Sequence, residues 1–214
     1  MKKRSKILII SLAACLVVAI GATMAYFFAK TGPVTNVFTL SKGINIKLAE
    51  PAWDNKDYDG NPAGVTDVLG NVLCQNFVPG REIPKDPSVK NTSEDNNSVW
   101  IAIKLDYTVG TDSDNIPDTY AELAKFADID WDTTNWDMDS NSDHVIFYYN
   151  KVVQTGSGSD SYTSNLFNKV TIKNDVPTGV EYNPFDIKVT AYAVQAEGLD
   201  LTAAKTQLAG FIAK

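Results

Sequence analysis

From Val99 to Val109 the chain alternates without a break: Val99, Ile101, Ile103, Leu105, Tyr107 and Val109 are apolar, and Ala102, Lys104, Asp106 and Thr108 stand between them. A period of two over that length suits an extended strand with one buried face and does not suit a helix, whose apolar stripe repeats every three to four residues. The same alternation opens at Ile44–Leu48 and closes the chain's β signal at Phe185, Ile187, Val189, Ala191, Ala193 and Gln195. Val145–Val153 and Leu166–Ile172 are rich in β-branched and aromatic residues, as strands are. A strand buried on one face needs a second layer to cover it, so the pattern predicts an all-β fold: a two-sheet β-sandwich of jelly-roll type with short helical insertions.

Two stretches favour helix. Pro117–Phe126 begins with Pro and an acid and places Tyr120, Leu123, Ala124 and Ala127 on one stripe. Near the end, Asp200 or Thr202 is placed to cap a helix running through Ala209. Trp53–Asn71 has no sustained apolar period and reads as a loop, and Gln154–Thr163, with Gly156, Ser157, Gly158 and Ser159, reads as a flexible hairpin end.

The N-terminus carries a different signal. Lys2, Lys3, Arg4 and Lys6 precede an apolar run from Ile7 to Ile20, and Thr23 and Ala25 sit where a signal peptidase inspects small residues, with Tyr26 just beyond the cut. Residues 1–25 are therefore expected to be a signal peptide. Two other readings stay open. Continued through Phe28, the apolar stretch is long enough to remain as a membrane anchor across a core of about 30 Å, and Leu12-Ala13-Ala14-Cys15 has the form of a lipidation site.

Removal of residues 1–25 takes four of the 19 basic residues and none of the 26 acidic ones, leaving 15 against 26 and a net charge near −11. Such a surface repels nucleic acid and anionic lipid, so neither is an expected partner. The cut also leaves Cys74 as the one cysteine, which cannot form an internal disulfide. The mature chain divides into a segment 26–39 with large apolar residues (Tyr26, Phe27, Phe28, Val34, Val37 and Phe38) and a single domain over 40–214. Exposed apolar residues of that kind call for a cover; two readings stay open, addition of the segment as a strand to an open sheet edge, or pairing of Val37–Leu48 inside its own sheet with Tyr26–Pro33 as a disordered leader.

Several fragments resemble one family in matched order over nearly the whole chain. Gly21–Phe27, Asn36–Thr39, and Ile46-Lys47-Leu48-Ala49-Glu50-Pro51 with Trp53 are followed by Val78-Pro79-Gly80 and Ile83-Pro84-Lys85-Asp86-Pro87. Val89-Lys90-Asn91, Phe147–Val152, Leu166-Phe167 and Ala191–Glu197 complete the set. The chain is similar to the TasA, camelysin and BsaA group of biofilm matrix proteins exported through a SipW-type signal peptidase in Gram-positive bacteria, and most resembles the clostridial BsaA-like branch. The resemblance implies a secreted jelly-roll subunit that polymerises into extracellular fibres by donor-strand addition, alone or with an accessory matrix subunit. It implies no membrane attachment once processed. The alternative is a cell-surface adhesin or carbohydrate-binding module kept on an uncleaved anchor, with Trp53, Trp100, Trp131, Trp136, Tyr148 and Tyr149 as its stacking residues.

Catalysis is not expected. His144 is the single histidine, which excludes a zinc site needing two, and serine or cysteine catalysis lacks its activating base and orienting acid. No cofactor is expected, with calcium as the one to test. Asp128, Asp130 and Asp132 start like a calcium-binding loop, but Thr133 stands where the turn needs Gly. Asp54, Asp57 and Asp59 before Gly60 form a second acidic cluster. Both equally suit solvated surface, the first as the acidic face of a strand.

Overall fold

The structure, a computed structural model, describes residues 28–30, 43–76, 78–94, 96–109, 120–140, 145–175 and 185–213. They are mostly β, with few helices. The largest sheet has the order β1 (Phe28–Lys30), β10 (Phe185–Gln195), β5 (Val99–Val109), β8 (Val145–Tyr149), β7 (Trp136–Ser140). A second sheet has the order β3 (Glu82–Pro84), β9 (Lys169–Ile172), β6 (Ala127–Ile129), and a third pairs β2 (Ile46–Ala49) with β4 (Ser88–Asn91). Every pairing is antiparallel.

β5 behaves as its alternation demands. Val99, Ile101, Ile103, Leu105 and Tyr107 share one face, are fully buried, and meet Val189, Ala191 and Ala193 of β10 and Phe147 of β8 in the main core. That core also takes Ile46 from β2, Ile83 from β3, Val89 from β4, and Val170 and Ile172 from β9, so one apolar cluster joins all three sheets.

The opposite face of the large sheet is apolar over part of its area. Trp100, Ala102, Ile146, Tyr148, Tyr192 and Val194 form a second cluster with Ala204, Leu208 and Ile212 of a C-terminal helix, Leu201–Ile212. Asp200 caps that helix by accepting a hydrogen bond from the Ala203 N–H at 2.8 Å. The indole N–H of Trp100 donates to the Leu199 carbonyl at 3.1 Å, tying the turn before the helix to β5. β8 lies in the overlap of the two clusters and is buried at every residue, which explains its unbroken apolar composition.

Several expectations shift. The helix expected over Pro117–Phe126 is a single turn, Tyr120–Leu123, within the described residues, and residues 117–119 lie outside them. Ala127 opens β6 opposite Ile172, because pairing with β9 outweighs the local helical pattern. The region 154–163 is a crossover between sheets and not a hairpin end: β8 pairs with β5 and β7, whereas β9 pairs with β3 and β6. The expected Trp53–Asn71 loop holds two short helices at its ends, Pro51–Asp54 and Gly70–Leu73. The strand expected from Ile44 begins at Ile46, and the one expected from Leu166 begins at Lys169. β6 stops at Ile129, so Asp130 and Asp132 are not on a strand. With helices numbered in chain order, α1 is Pro51–Asp54, α2 Gly70–Leu73, α3 Tyr120–Leu123 and α4 Leu201–Ile212.

Candidate functional site

The two edges of the large sheet differ in chemistry. β7, at one edge, reads Trp136-Asp137-Met138-Asp139-Ser140. Charged residues on an edge strand discourage a further strand from adding there. One of them, Asp137, is engaged by Lys205 of α4 at 2.7 Å. At the other edge β10 presents a mostly apolar strand, and there the chain itself supplies the next strand: β1 pairs antiparallel with Phe28 facing Val194, Ala29 facing Ala193 and Lys30 facing Tyr192.

Beside the N-terminal half of β10 lies a largely apolar cavity of about 290 Å³. Phe185 and Ile187 of β10, Ile83 of β3, Val170 of β9, Trp53 of α1 and Cys74 line it, with Lys85 and Asp186 as its charged members. An apolar cavity of about 150 Å³ already accepts a benzene-sized group, so this one has room for a side chain from an added strand.

Local features hold the wall in place. α2 can lie against β3 because Gly70 has no Cβ: one built there would be 1.9 Å from the Pro84 carbonyl oxygen and 2.6 Å from the Trp53 ring. Lys85 is buried, its Nζ donates to both carboxylate oxygens of Glu50 at 2.8 Å, and it stands 4.6 Å from the centre of the Trp53 ring. Such a buried pair fixes geometry more than it adds stability. Next to it Asp86 accepts from the Ala52 N–H at 2.8 Å, and burial pushes its carboxyl up to about 6. Cys74 is half-buried and free, its thiol donates to the Asn71 carbonyl at 3.4 Å, and burial raises its pKa.

Of the expected assembly residues, Phe28 lies in β1, while Tyr26, Phe27, Val34, Val37 and Phe38 lie outside the described residues. Thr23, Ala25, Cys15 and His144 lie outside them as well. The acidic residues are placed, and each finds a protein partner. Asp128 pairs with Lys173 at 3.2 Å, and Asp130 accepts from the backbone N–H groups of Asn168 and Lys169 at 2.9 and 2.8 Å. Asp132 accepts from the Ser164 hydroxyl at 2.6 Å and the Asn135 amide at 2.8 Å; burial would raise its pKa, but these bonds hold it below the ordinary range. Asp54 lies 3.8 Å from Lys56, Asp59 pairs with Lys47, and Asp57 accepts from the Asn61 and Asp59 N–H groups, both at 2.8 Å. Among the described residues no three His, Cys, Asp or Glu side chains are grouped to hold a metal ion.

The aromatic residues divide between the two clusters. Trp100 and Tyr148 are buried under α4, Trp136 and Tyr149 are buried in the main core 4.9 Å apart, and Trp131 stacks on Phe147 at 4.6 Å. Trp53 packs on the main core at the cavity. These six rings form no single exposed platform.

The cavity carried no local signal, and for β1 the sequence marked an apolar segment in need of cover but not the strand it joins. β1 follows from pairing with a strand far along the chain, and the cavity gathers residues from Trp53 to Ile187. No helix among the described residues is long and apolar enough to cross a membrane. The chain matches no protein-family model, no curated protein and no solved structure.

Proposed function

We propose that this protein is a secreted, non-enzymatic structural subunit of an extracellular biofilm matrix fibre. After cleavage behind Ala25, the segment beginning at Tyr26 adds as a strand to the β10 edge of the next subunit. The observation that carries this reading is β1: part of the 26–39 segment lies as an edge strand on β10. A strand able to occupy that edge in one subunit is chemically able to occupy it in another, since backbone hydrogen bonds do not distinguish copies. The acidic far edge at β7 favours growth through β10 alone.

The architecture in this reading is a two-sheet jelly roll, with β2–β4 and β3–β9–β6 forming the layer opposite the large sheet. The single core drawn from all three sheets supports it. The reading needs no cofactor, and its partners are further copies of the chain or an accessory subunit.

Electron microscopy provides the test. Protein beginning at Tyr26 is expected to form filaments, and protein beginning after Pro33, which lacks β1, is expected to stay monomeric. Equal polymerisation of both would remove strand addition by this segment.

A further inference from the structure

α1 forms part of the cavity wall through Trp53, yet it is loosely anchored. None of its residues is fully buried, and it ends at Asn55, a non-glycine residue in the left-handed region at φ 60°. Elements with few buried contacts open locally well before the whole fold does. Two contacts that hold α1 run to adjacent residues between β3 and β4. The Ala52 N–H donates to Asp86 at 2.8 Å, and the Lys85 ammonium stands 4.6 Å from the centre of the Trp53 ring. That dock is itself fixed. The Lys85 N–H donates to the Asn168 carbonyl at 3.0 Å, and the Pro87 carbonyl accepts from the Leu166 N–H at 2.9 Å.

The charges at the dock do not balance. Lys85 donates to both carboxylate oxygens of Glu50, the residue just before α1, and among the described residues no ion pair joins a cation to Asp86. Two carboxylates thus share one ammonium where water has little access: the Lys85 and Glu50 side chains are 7% and 15% exposed. The remaining titratable group facing Asp86 is the Tyr58 phenol, which is hydrogen-bonded to Ser88 at 2.8 Å and kept neutral because burial raises its pKa.

Burial, the largest influence, and the Glu50 charge push the Asp86 carboxyl up to about 6, against the Ala52 bond and the Lys85 charge. Opening of α1 would move Glu50 and Trp53 away and let water reach Asp86. The ionised carboxylate therefore favours the open form.

We propose that α1 is a flap on the cavity: with Asp86 protonated it stays docked, and with Asp86 ionised it swings on Asn55 more often and takes Trp53 off the cavity wall. This control of the cavity goes beyond the fibre reading and does not depend on it.

Amide exchange on the full chain tests the flap. The Ala52, Trp53 and Asp54 amides report α1, and the Ile103 and Leu105 amides report the centre of β5. At pH 7 the α1 amides are expected to be at least about tenfold less protected than those of β5, the mark of a local opening. Corrected for the intrinsic base-catalysed rate, their protection is expected to fall about threefold from about pH 4 to about pH 7 and to stay level above that. The Asp86 carboxyl carbon resonance is expected to titrate near 6, and Asp86→Asn is expected to abolish the fall.

Protection of α1 equal to that of β5 would overturn the flap. So would α1 protection that does not change with pH, an Asp86 carboxyl that titrates near its ordinary 3.8, or a fall that persists in folded Asp86→Asn. The exchange and titration readouts use the unmodified chain, so they decide even where Asp86→Asn does not fold.

Discussion

β10 is one strand with two environments. From Phe185 to Lys188 it alternates half-buried with exposed residues, and from Val189 to Val194 every residue is buried. The difference lies in what covers the outer face. In the second half α4 places Ala204, Leu208 and Ile212 over Tyr192 and Val194, while Ala191 and Ala193 fill the main core from the other side. In the first half Asp186 and Lys188 remain exposed on the outer face, and the inner face borders a cavity. Rigid anchorage and room for an incoming side chain thus occupy opposite ends of the same strand.

The most direct way to break this contrast is to remove equivalent packing from each half. Leu208→Ala, over the covered half, is expected to cost about 3 kcal/mol in denaturant unfolding, since it removes a buried side chain by which α4 packs on the sheet and the helix cannot fully collapse onto the gap. Ile187→Ala is expected to cost less, about 1.5 kcal/mol, because Ile187 is half-buried beside existing space. Equal costs would show that the two halves are packed alike and would remove the distinction.

A smaller effect sharpens the chemistry of the cavity half. The folded-state pKa of Asp86, about 6, lies above its ordinary value of 3.8. The stability it contributes is therefore present below about pH 4 and lost as pH rises through 6. Asp86→Asn keeps an oxygen for the Ala52 N–H and removes the charge. Its unfolding free energy is expected to match the parent's near pH 4 and exceed it at pH 7, by less than about 1 kcal/mol given the partial exposure of the group. A difference that does not change with pH would show that burial does not raise the pKa of this carboxyl.

The sequence was most legible where a local period and a burial pattern coincide. β5 and β10 occupy the residues their alternation marks, and α4 starts at Asp200, one of the two residues expected to cap it. It was least legible where short segments owe their form to distant partners. β3 and β6 become strands by pairing on either side of β9, and Ala127 abandons a helical stripe to do so. The acidic residues at 128–132 looked alike in sequence, yet they divide among a lysine, a backbone turn and a serine.

Alternation, capping residues and composition by themselves determined that this chain builds long strands with one compulsory buried face, because those signals act within a few residues. Only the tertiary structure decided which strand lies beside which, where the two edges of the large sheet fall, and that the cavity opens next to β10. Those features depend on contacts between residues such as Trp53 and Phe185, or Phe28 and Val194, whose meeting is set by the packing of whole sheets and leaves no mark in the sequence around either partner.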